Sequence, residues 1–137
     1  MFITALNCMD GRTIEPIIQY FKNKLNIKDL YVDMITEPGM DKFLKDKDNL
    51  KNLKMKVKIS LINHFSNYIV VAGHYDCAGN PVSYDQHKED IIESVYEVYY
   101  LLVNELSQDL KDRKITIIGV YVNDSWKIEE VIELTIN

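Results

Sequence analysis

The sequence predicts an α/β fold of three layers, in which helices flank a central, mostly parallel β-sheet. Two observations support this class. Short, almost uniformly apolar runs, typical of strands buried on both faces, alternate with longer amphipathic stretches along the 137 residues. These stretches are long enough for helices that cross back over the sheet, which makes neighbouring strands parallel and the crossovers right-handed. No repeat or Gly/Ser-rich linker interrupts the alternation, so residues 1–137 are expected to form a single domain.

The chain opens with a predicted strand and a predicted helix. Residues 3–7 form a short apolar run, which indicates the first strand. Residues 15–24 have a helical pattern, with Thr13 as a candidate N-cap and Pro16 in the first turn. Residues 30–35 are the second strand candidate.

A turn and a long helical pattern come next. Glu37, Pro38 and Gly39 end the second strand, because proline and glycine favour turns. Residues 41–65 then read as helix, since apolar side chains recur at spacings of three and four. The recurring residues are Leu50, Leu53, Val57 and Leu61. The lysines between residues 42 and 58 alternate with acids, so we expect a solvated helix face there.

The second half contains the clearest strand and the longest helix. Residues 68–73 are a nearly uniform apolar run, which predicts a strand buried on both faces. A long helix follows, whose apolar stripe comprises Ile91, Ile92, Val95, Val98, Leu102, Leu106 and Leu110. Residues 114–122 predict another buried strand. Residues 128–136 predict a mixture of strand and short helix.

The composition excludes several classes of function. The chain carries 21 acidic and 16 basic side chains, and its net charge of −5 disfavours binding to nucleic acid. No run reaches the roughly 18 apolar residues that a membrane helix needs, so no membrane partner is expected. The first residues also lack the basic flank and the length of a signal peptide. Two cysteines are too few for a secreted disulfide framework, so we expect a cytoplasmic protein with reduced thiols.

Potential metal ligands follow two of the predicted strands. Cys8 follows the first strand, and His74 and Cys77 follow the strand that ends at Gly73. If the sheet has the order 2-1-3-4, these two strands are neighbours and their loops meet at the switch point of the sheet. Two thiolates and one imidazole are ligands that suit Zn²⁺. Asp76, between the two later ligands, is expected to hydrogen-bond the turn amides.

A fourth protein ligand is not evident from the sequence. His64 and His87 lie at the end of one predicted helix and the start of another, and neither has an obvious route to the carboxyl edge of the sheet. The sequence therefore predicts three protein ligands and an open fourth position. At such a position zinc lowers the pKa of water from 15.7 towards about 7, which makes hydroxide available at neutral pH.

Asp10 and Arg12 form a second polar feature beside Cys8. The glycine between them permits a tight turn, so the two side chains can pair. A carboxylate held by a guanidinium stays ionised and keeps one orientation. Next to a metal, Asp10 could orient the nucleophile. Released from Arg12, it could instead occupy the fourth position.

These motifs resemble those of the beta-class carbonic anhydrases. The first is C-x-D-x-R at Cys8, Asp10 and Arg12, and the second is H-x-x-C at His74 and Cys77 after an apolar strand and a glycine. The resemblance implies that the two cysteines and the histidine bind zinc, and that the aspartate and arginine form the catalytic dyad. It also implies a beta-carbonic-anhydrase-like fold and a lyase in which zinc-bound hydroxide reversibly hydrates carbon dioxide to bicarbonate. The expected partners are that small-molecule substrate and further copies of the chain, in a homodimer or a higher homo-oligomer.

Two other functions stay open at this point. Residues 34–39 stand where family members carry a stretch like R-x-A-G-N, which shapes the substrate pocket and the subunit contact. This departure favours a non-catalytic or differently specific zinc-binding protein on the same scaffold, with Asp10 as a permanent fourth ligand. The other alternative is thiol redox chemistry of Cys8 and Cys77 without a metal.

Overall fold

A five-stranded sheet organises the computed structural model, which describes residues 1–137. Its strands are β1 (Phe2–Asn7), β2 (Tyr31–Thr36), β3 (Tyr68–His74), β4 (Ile115–Val122) and β5 (Ile128–Ile136). They lie in the order β2-β1-β3-β4-β5; the first four are parallel, and β5 runs antiparallel to β4. The predicted α/β class and the predicted order 2-1-3-4 are therefore confirmed.

Helices cover both faces of this sheet. They are α1 (Ile14–Leu25), α2 (Met40–Phe43), α3 (Lys47–Lys58), α4 (Tyr84–Glu105) and α5 (Ser107–Leu110), with a π-helical turn at Ile59–Asn63. Helix α1 packs on one face, and the other helices pack on the opposite face. None of the helices combines the length and apolar character that a bilayer crossing requires.

The core lies in two layers because strand side chains alternate between the faces of the sheet. In β3, Ile69 and Val71 point towards α3 and α4, whereas Val70 and Ala72 point towards α1 and its buried Phe21. All of these side chains are at most 1 % exposed. Burial on both faces explains why β3 and β4 appear in the sequence as continuous apolar runs.

The helix starts depend on local hydrogen bonds. Ser83 caps α4 by accepting a hydrogen bond from the Gln86 amide at 3.2 Å. Thr13 occupies the N-cap position of α1, as predicted, but its hydroxyl does not cap the helix. Instead, this hydroxyl donates to the Asp10 carbonyl at 2.8 Å and accepts from the Asn7 side chain at 2.8 Å. Thr13 thus secures the loop that follows β1.

The single helix predicted for residues 41–65 is wrong. The chain forms α2 and α3 separately, because Asp46 starts a new helix by accepting the Asp48 amide at 2.8 Å. The π-helical turn then interrupts the regular ladder of hydrogen bonds. Arg113 donates to the Leu61 carbonyl at 2.6 Å and so satisfies an oxygen within this turn.

The mixture of strand and short helix predicted for residues 128–136 is also wrong, because the whole segment is β5. The register with β4 shifts between Gly119 and Val120, which pair with Ile132 and Glu130. Val131 is the extra residue, so the alternation of apolar side chains breaks at this point. This bulge explains why the sequence pattern did not resemble a regular strand.

Candidate metal centre

The predicted metal ligands lie together at the carboxyl edge of the sheet. Cys8 directly follows β1, His74 is the last residue of β3, and Cys77 lies in the loop after β3. Because β1 and β3 are adjacent and parallel, both chain segments leave the sheet at the same edge. The connections from β1 and β3 go to opposite faces, so this is the switch point of the sheet.

The three donor atoms form a compact, buried cluster. The cysteine Sγ atoms and a nitrogen of the His74 ring all lie within 4.8 Å of one another. The two sulfurs are 3.9 Å apart. Cys8, His74 and Cys77 are 5 %, 0 % and 4 % exposed, so the protein shields the cluster from bulk solvent. Soft sulfur and imidazole donors in this number fit a zinc ion.

The hydrogen bonds of His74 fix which ring nitrogen is free. Its Nδ1 lies 2.7 Å from the carbonyl oxygen of Tyr75, which can only accept, so Nδ1 carries the proton and donates. The lone pair is therefore on Nε2. This atom is buried and has no hydrogen-bond partner. An unsatisfied buried polar atom costs about 1–3 kcal/mol, and a metal ion at the cluster would satisfy it.

Backbone amides surround both sulfurs. The Gly39 amide donates to Cys8 Sγ at 3.5 Å, and the amides of Gly79 and Asn80 donate to Cys77. Burial, followed by the nearby charge of Cys8, raises the pKa of Cys77 to about 11, although the amides act in the opposite direction. The Cys77 thiol is thus protonated at neutral pH, so a metal that binds here displaces its proton.

Asp10 and Arg12 form the predicted pair at the rim of the cluster. Arg12 Nη2 lies 2.7 Å from Asp10 Oδ2, and Arg12 Nε lies 3.1 Å from Oδ1. The side-chain hydrogen bond from Arg12 is the main reason why the pKa of Asp10 falls to about 2, so the carboxylate is ionised at neutral pH. Its Oδ2 atom lies 4.0 Å from Nε2 of His74, beside the free lone pair.

Arg12 has two further partners that the sequence analysis missed. Its Nη1 lies 3.3 Å from Asp76 Oδ2, and its Nη2 donates to the Asp76 carbonyl at 3.2 Å. Asp76 therefore binds Arg12 instead of the turn amides that we predicted for it. The ring of Trp126 covers the guanidinium at 4.7 Å. Recognition of an antiparallel hairpin after β4 would have predicted this contact, because the turn of that hairpin places Trp126 at the carboxyl edge of the sheet.

A cavity of about 730 Å³ opens beside Cys77, between the loop after β3 and the turn that joins β4 to β5. Three tyrosines and three acids contribute to its lining: Tyr75, Tyr84, Tyr121, Asp76, Asp124 and Glu129. Tyr84 donates to Glu129 at 2.6 Å, which closes one wall. The cavity connects the ligand cluster with solvent and presents a negative surface to any molecule that enters.

The other two histidines lie outside the cluster. His64 pairs with Asp33 at 2.7 Å, and His87 pairs with the buried Asp41 at 2.6 Å. Neither contributes to the group of metal-binding side chains. The sequence analysis had found no route by which either could join the cluster.

Comparison with known proteins agrees with this fold. The family model described as "Putative carbonic anhydrase" matches residues 1–132. A structure from a study of two tetrameric beta-carbonic anhydrases of the ascomycete Sordaria macrospora aligns with a TM-score of 0.57 at 14 % identity, over 96 % of this chain and 81 % of that one. A carbonic anhydrase from Glaciozyma antarctica aligns with a TM-score of 0.56 at 14 % identity, over 94 % and 81 %.

A search of curated proteins gives no match. At 14 % identity the structural alignments show a common fold, and the family model covers nearly the whole sequence. The chain belongs to this carbonic anhydrase family and has the fold of the beta-carbonic anhydrases.

Proposed function

We propose that the protein is a zinc-dependent lyase that reversibly hydrates carbon dioxide to bicarbonate. The observation that carries this proposal is the unpartnered Nε2 of His74, which faces two buried sulfurs and lies 4.0 Å from an ionised carboxylate. Cys8, His74 and Cys77 would hold the zinc. When bound, zinc acts as a Lewis acid that makes hydroxide available from water at neutral pH.

The Asp10 carboxylate has the central role in the proposed chemistry. Arg12 binds both of its oxygens and so restrains the carboxylate, which would accept a hydrogen bond from water in the site through Oδ2. This contact orients the attacking oxygen towards the substrate carbon. Arg12 keeps Asp10 ionised, so Asp10 does not remove the proton itself.

The cavity beside Cys77 is the proposed route for the substrate. Carbon dioxide is neutral and enters without electrostatic cost. Bicarbonate is an anion, and the carboxylates of Asp76, Asp124 and Glu129 favour its departure towards solvent.

Stopped-flow hydration of carbon dioxide by the zinc-loaded protein tests this proposal. We expect Asp10→Asn to lower the rate by about 10²-fold, the cost of misplacing a reacting group by about 1 Å. Asp109→Asn is the matched control, because it removes one negative charge from a side chain that pairs with Lys58 and does not line this cavity. A fully loaded wild-type protein that is no faster than buffer would refute the hydration proposal.

A non-catalytic zinc-binding protein is the second candidate. The distance of 4.0 Å between Asp10 Oδ2 and His74 Nε2 favours it, since a small movement of the carboxylate would complete four protein ligands. X-ray absorption at the zinc edge distinguishes the two functions. This candidate is supported if the zinc ion is bound by two sulfurs, one nitrogen and one carboxylate oxygen, and if Asp10→Asn loses that oxygen.

We also propose that the protein is cytoplasmic and forms a homo-oligomer. The two free cysteines are consistent with a reducing compartment.

The structural neighbours from Sordaria macrospora are described as tetrameric. Helix α4 exposes an apolar stripe of Ile92, Tyr96, Tyr100 and Val103 that a second copy could cover. Light scattering should give a multiple of the 16.0 kDa chain mass, and the monomer mass would contradict the proposal.

A further inference from the structure

The turn between β4 and β5 is built to hold Trp126 in one place. The Asn123 side-chain oxygen accepts the amides of Ser125 at 2.9 Å and Lys127 at 3.0 Å. The Trp126 amide donates to the Asn123 carbonyl at 2.9 Å. Trp126 itself has a φ of 57°, a left-handed conformation that is rare for a residue with a large side chain. Such a conformation persists where the surrounding contacts determine it.

The indole ring of Trp126 lies against the guanidinium of Arg12. The guanidinium carbon is 4.7 Å from the ring centroid. Asp10 and Asp76 bind the guanidinium at its edges, and these contacts do not prevent movement perpendicular to its plane. The indole ring lies on one side of the plane and limits that movement. Tyr75 packs edge-on against the same indole, with centroids 6.4 Å apart.

The other contacts of Arg12 do not cover the face of its guanidinium group. The Arg12 side chain is 47 % exposed, and Asp76 is 67 % exposed, so their ion pair is weak in water. Without the ring, the long side chain of Arg12 would sample more rotamers, and Asp10 would lose its fixed orientation.

We propose that Trp126 is a positioning residue, whose ring holds Arg12 in the orientation that binds Asp10. This inference rests on the proposed function insofar as it concerns turnover. Its structural part, that a ring at residue 126 immobilises Arg12, is independent of any activity. A residue from the last hairpin thereby completes a dyad that belongs to the loop after β1.

Nuclear magnetic resonance of the arginine Nε–H groups tests the inference directly. The chain contains two arginines, Arg12 and Arg113, so the spectrum has two signals to assign. Arg113 lies 4.5 Å from the ring of Phe65 in a second pair of the same kind, which is remote from the metal ligands. Phe65→Ala is therefore a matched control that removes an aromatic partner from the other arginine.

We expect Trp126→Leu, which keeps apolar bulk but removes the ring, to accelerate solvent exchange of the Arg12 Nε–H by about two- to fivefold. Trp126→Phe should restore most of the protection, and Phe65→Ala should affect only Arg113. In the zinc-loaded protein, kcat/KM should fall by a similar factor in Trp126→Leu and recover in Trp126→Phe.

The outcomes separate this inference from the proposed function. If Trp126→Leu folds and leaves the Arg12 signal unchanged, or if Trp126→Phe fails to restore it, the inference is wrong whatever the activity. If the wild-type protein has no hydration activity but the Arg12 signal depends on the ring, the positioning role stands and the proposed function fails.

Discussion

At the scale of single residues, the state of His74 depends on its place at the end of β3. The carbonyl of Tyr75, the next residue, accepts a hydrogen bond from Nδ1 at 2.7 Å. This contact leaves the lone pair on Nε2, which faces the sulfurs. Sequence spacing alone could not assign the tautomer, because it depends on the backbone turn after the strand. The ligand atom therefore follows from the conformation of one peptide.

Zinc affinity tests the assignment of His74. We expect His74→Ala to weaken zinc binding by more than the roughly 10–100-fold that loss of an outer partner costs, since it removes a donor from the metal. Competition with a chromophoric chelator gives the affinity. His64→Ala is the control, because His64 lies outside the cluster and pairs with Asp33. Equal losses in the two variants would contradict the assignment.

Asp90 is a second residue whose charge state is set by its surroundings. Its carboxylate accepts hydrogen bonds from Lys45 at 2.8 Å, Gln86 at 2.9 Å and Asn80 at 3.0 Å. Burial raises the pKa of Asp90, but these three hydrogen bonds outweigh burial and hold the pKa below its usual value of 3.8. Because the pKa is lower in the folded protein, the ionised carboxylate stabilises the fold above pH 3.8.

This stabilisation should disappear as the pH falls through the lower, folded-state pKa of Asp90. We expect Asp90→Asn to reduce the free energy of unfolding by about 1–3 kcal/mol at neutral pH, with a smaller difference from wild type below pH 3.8. Urea unfolding at several pH values measures both effects. Asp109→Asn removes a half-exposed partner of Lys58 and should change little. A difference that stays constant down to low pH would show that Asp90 is not the titrating group.

At the scale of elements, the loops after β2 and β3 touch through their backbones. A Cβ atom on Gly79 would overlap the Gly39 nitrogen and lie 2.6 Å from the Pro38 carbonyl carbon. Gly39 has a φ of 58°, and its amide donates to Cys8. The contact of the two glycines therefore brings amide donors to both sulfurs.

Gly79→Ala should force these loops apart, because its neighbours are backbone atoms that cannot move alone. We expect a loss of about 1–3 kcal/mol in the free energy of unfolding and a zinc affinity that is lower by roughly 10–100-fold. Gly11→Ala is the matched control, since a Cβ there meets nothing within 4 Å. Chemical unfolding and chelator competition measure the two quantities. Wild-type zinc affinity in Gly79→Ala would show that loop contact does not shape the site.

The sequence was informative about these elements only where side chains form a pattern. The runs in β3 and β4 predicted strands, and strand order then predicted that Cys8 and His74 meet. The contact between Gly39 and Gly79 has no side-chain pattern, so it could not be predicted. The same holds for the π-helical turn, whose residues continue the helical spacing of α3.

At the scale of the whole molecule, the error with the widest consequence is the one in the last strand. The bulge opposite Gly119 and Val120 disturbs the apolar pattern of β5. Because that strand was not predicted as regular, the position of the turn that holds Trp126 could not be predicted either. Arg12 was assigned one partner from sequence, Asp10, although three loops contribute partners in the fold. Contacts between distant segments require the complete sheet, which local patterns do not specify.

The metal centre joins segments that separate when the protein unfolds. Cys8 and Cys77 are 69 positions apart, and the fold brings their sulfurs to 3.9 Å. Zinc should therefore bind the folded state in preference to the unfolded one, and at 100 times its dissociation constant it should add about 2.7 kcal/mol of stability. For a chain of this length that corresponds to a rise in Tm of roughly 5–12 °C, which calorimetry with and without zinc would measure.

The double variant Cys8→Ser, Cys77→Ser provides the control for this rise. It retains the sheet that supports the loops but lacks both sulfur ligands, so zinc should leave its Tm unchanged. Its own Tm without zinc separates any packing loss from the metal effect, because both buried thiols are also core side chains. A zinc-dependent rise that persists in the double variant would mean that the ion binds elsewhere on the acidic surface. In that case the zinc stabilisation could not be assigned to the site formed by β1 and β3.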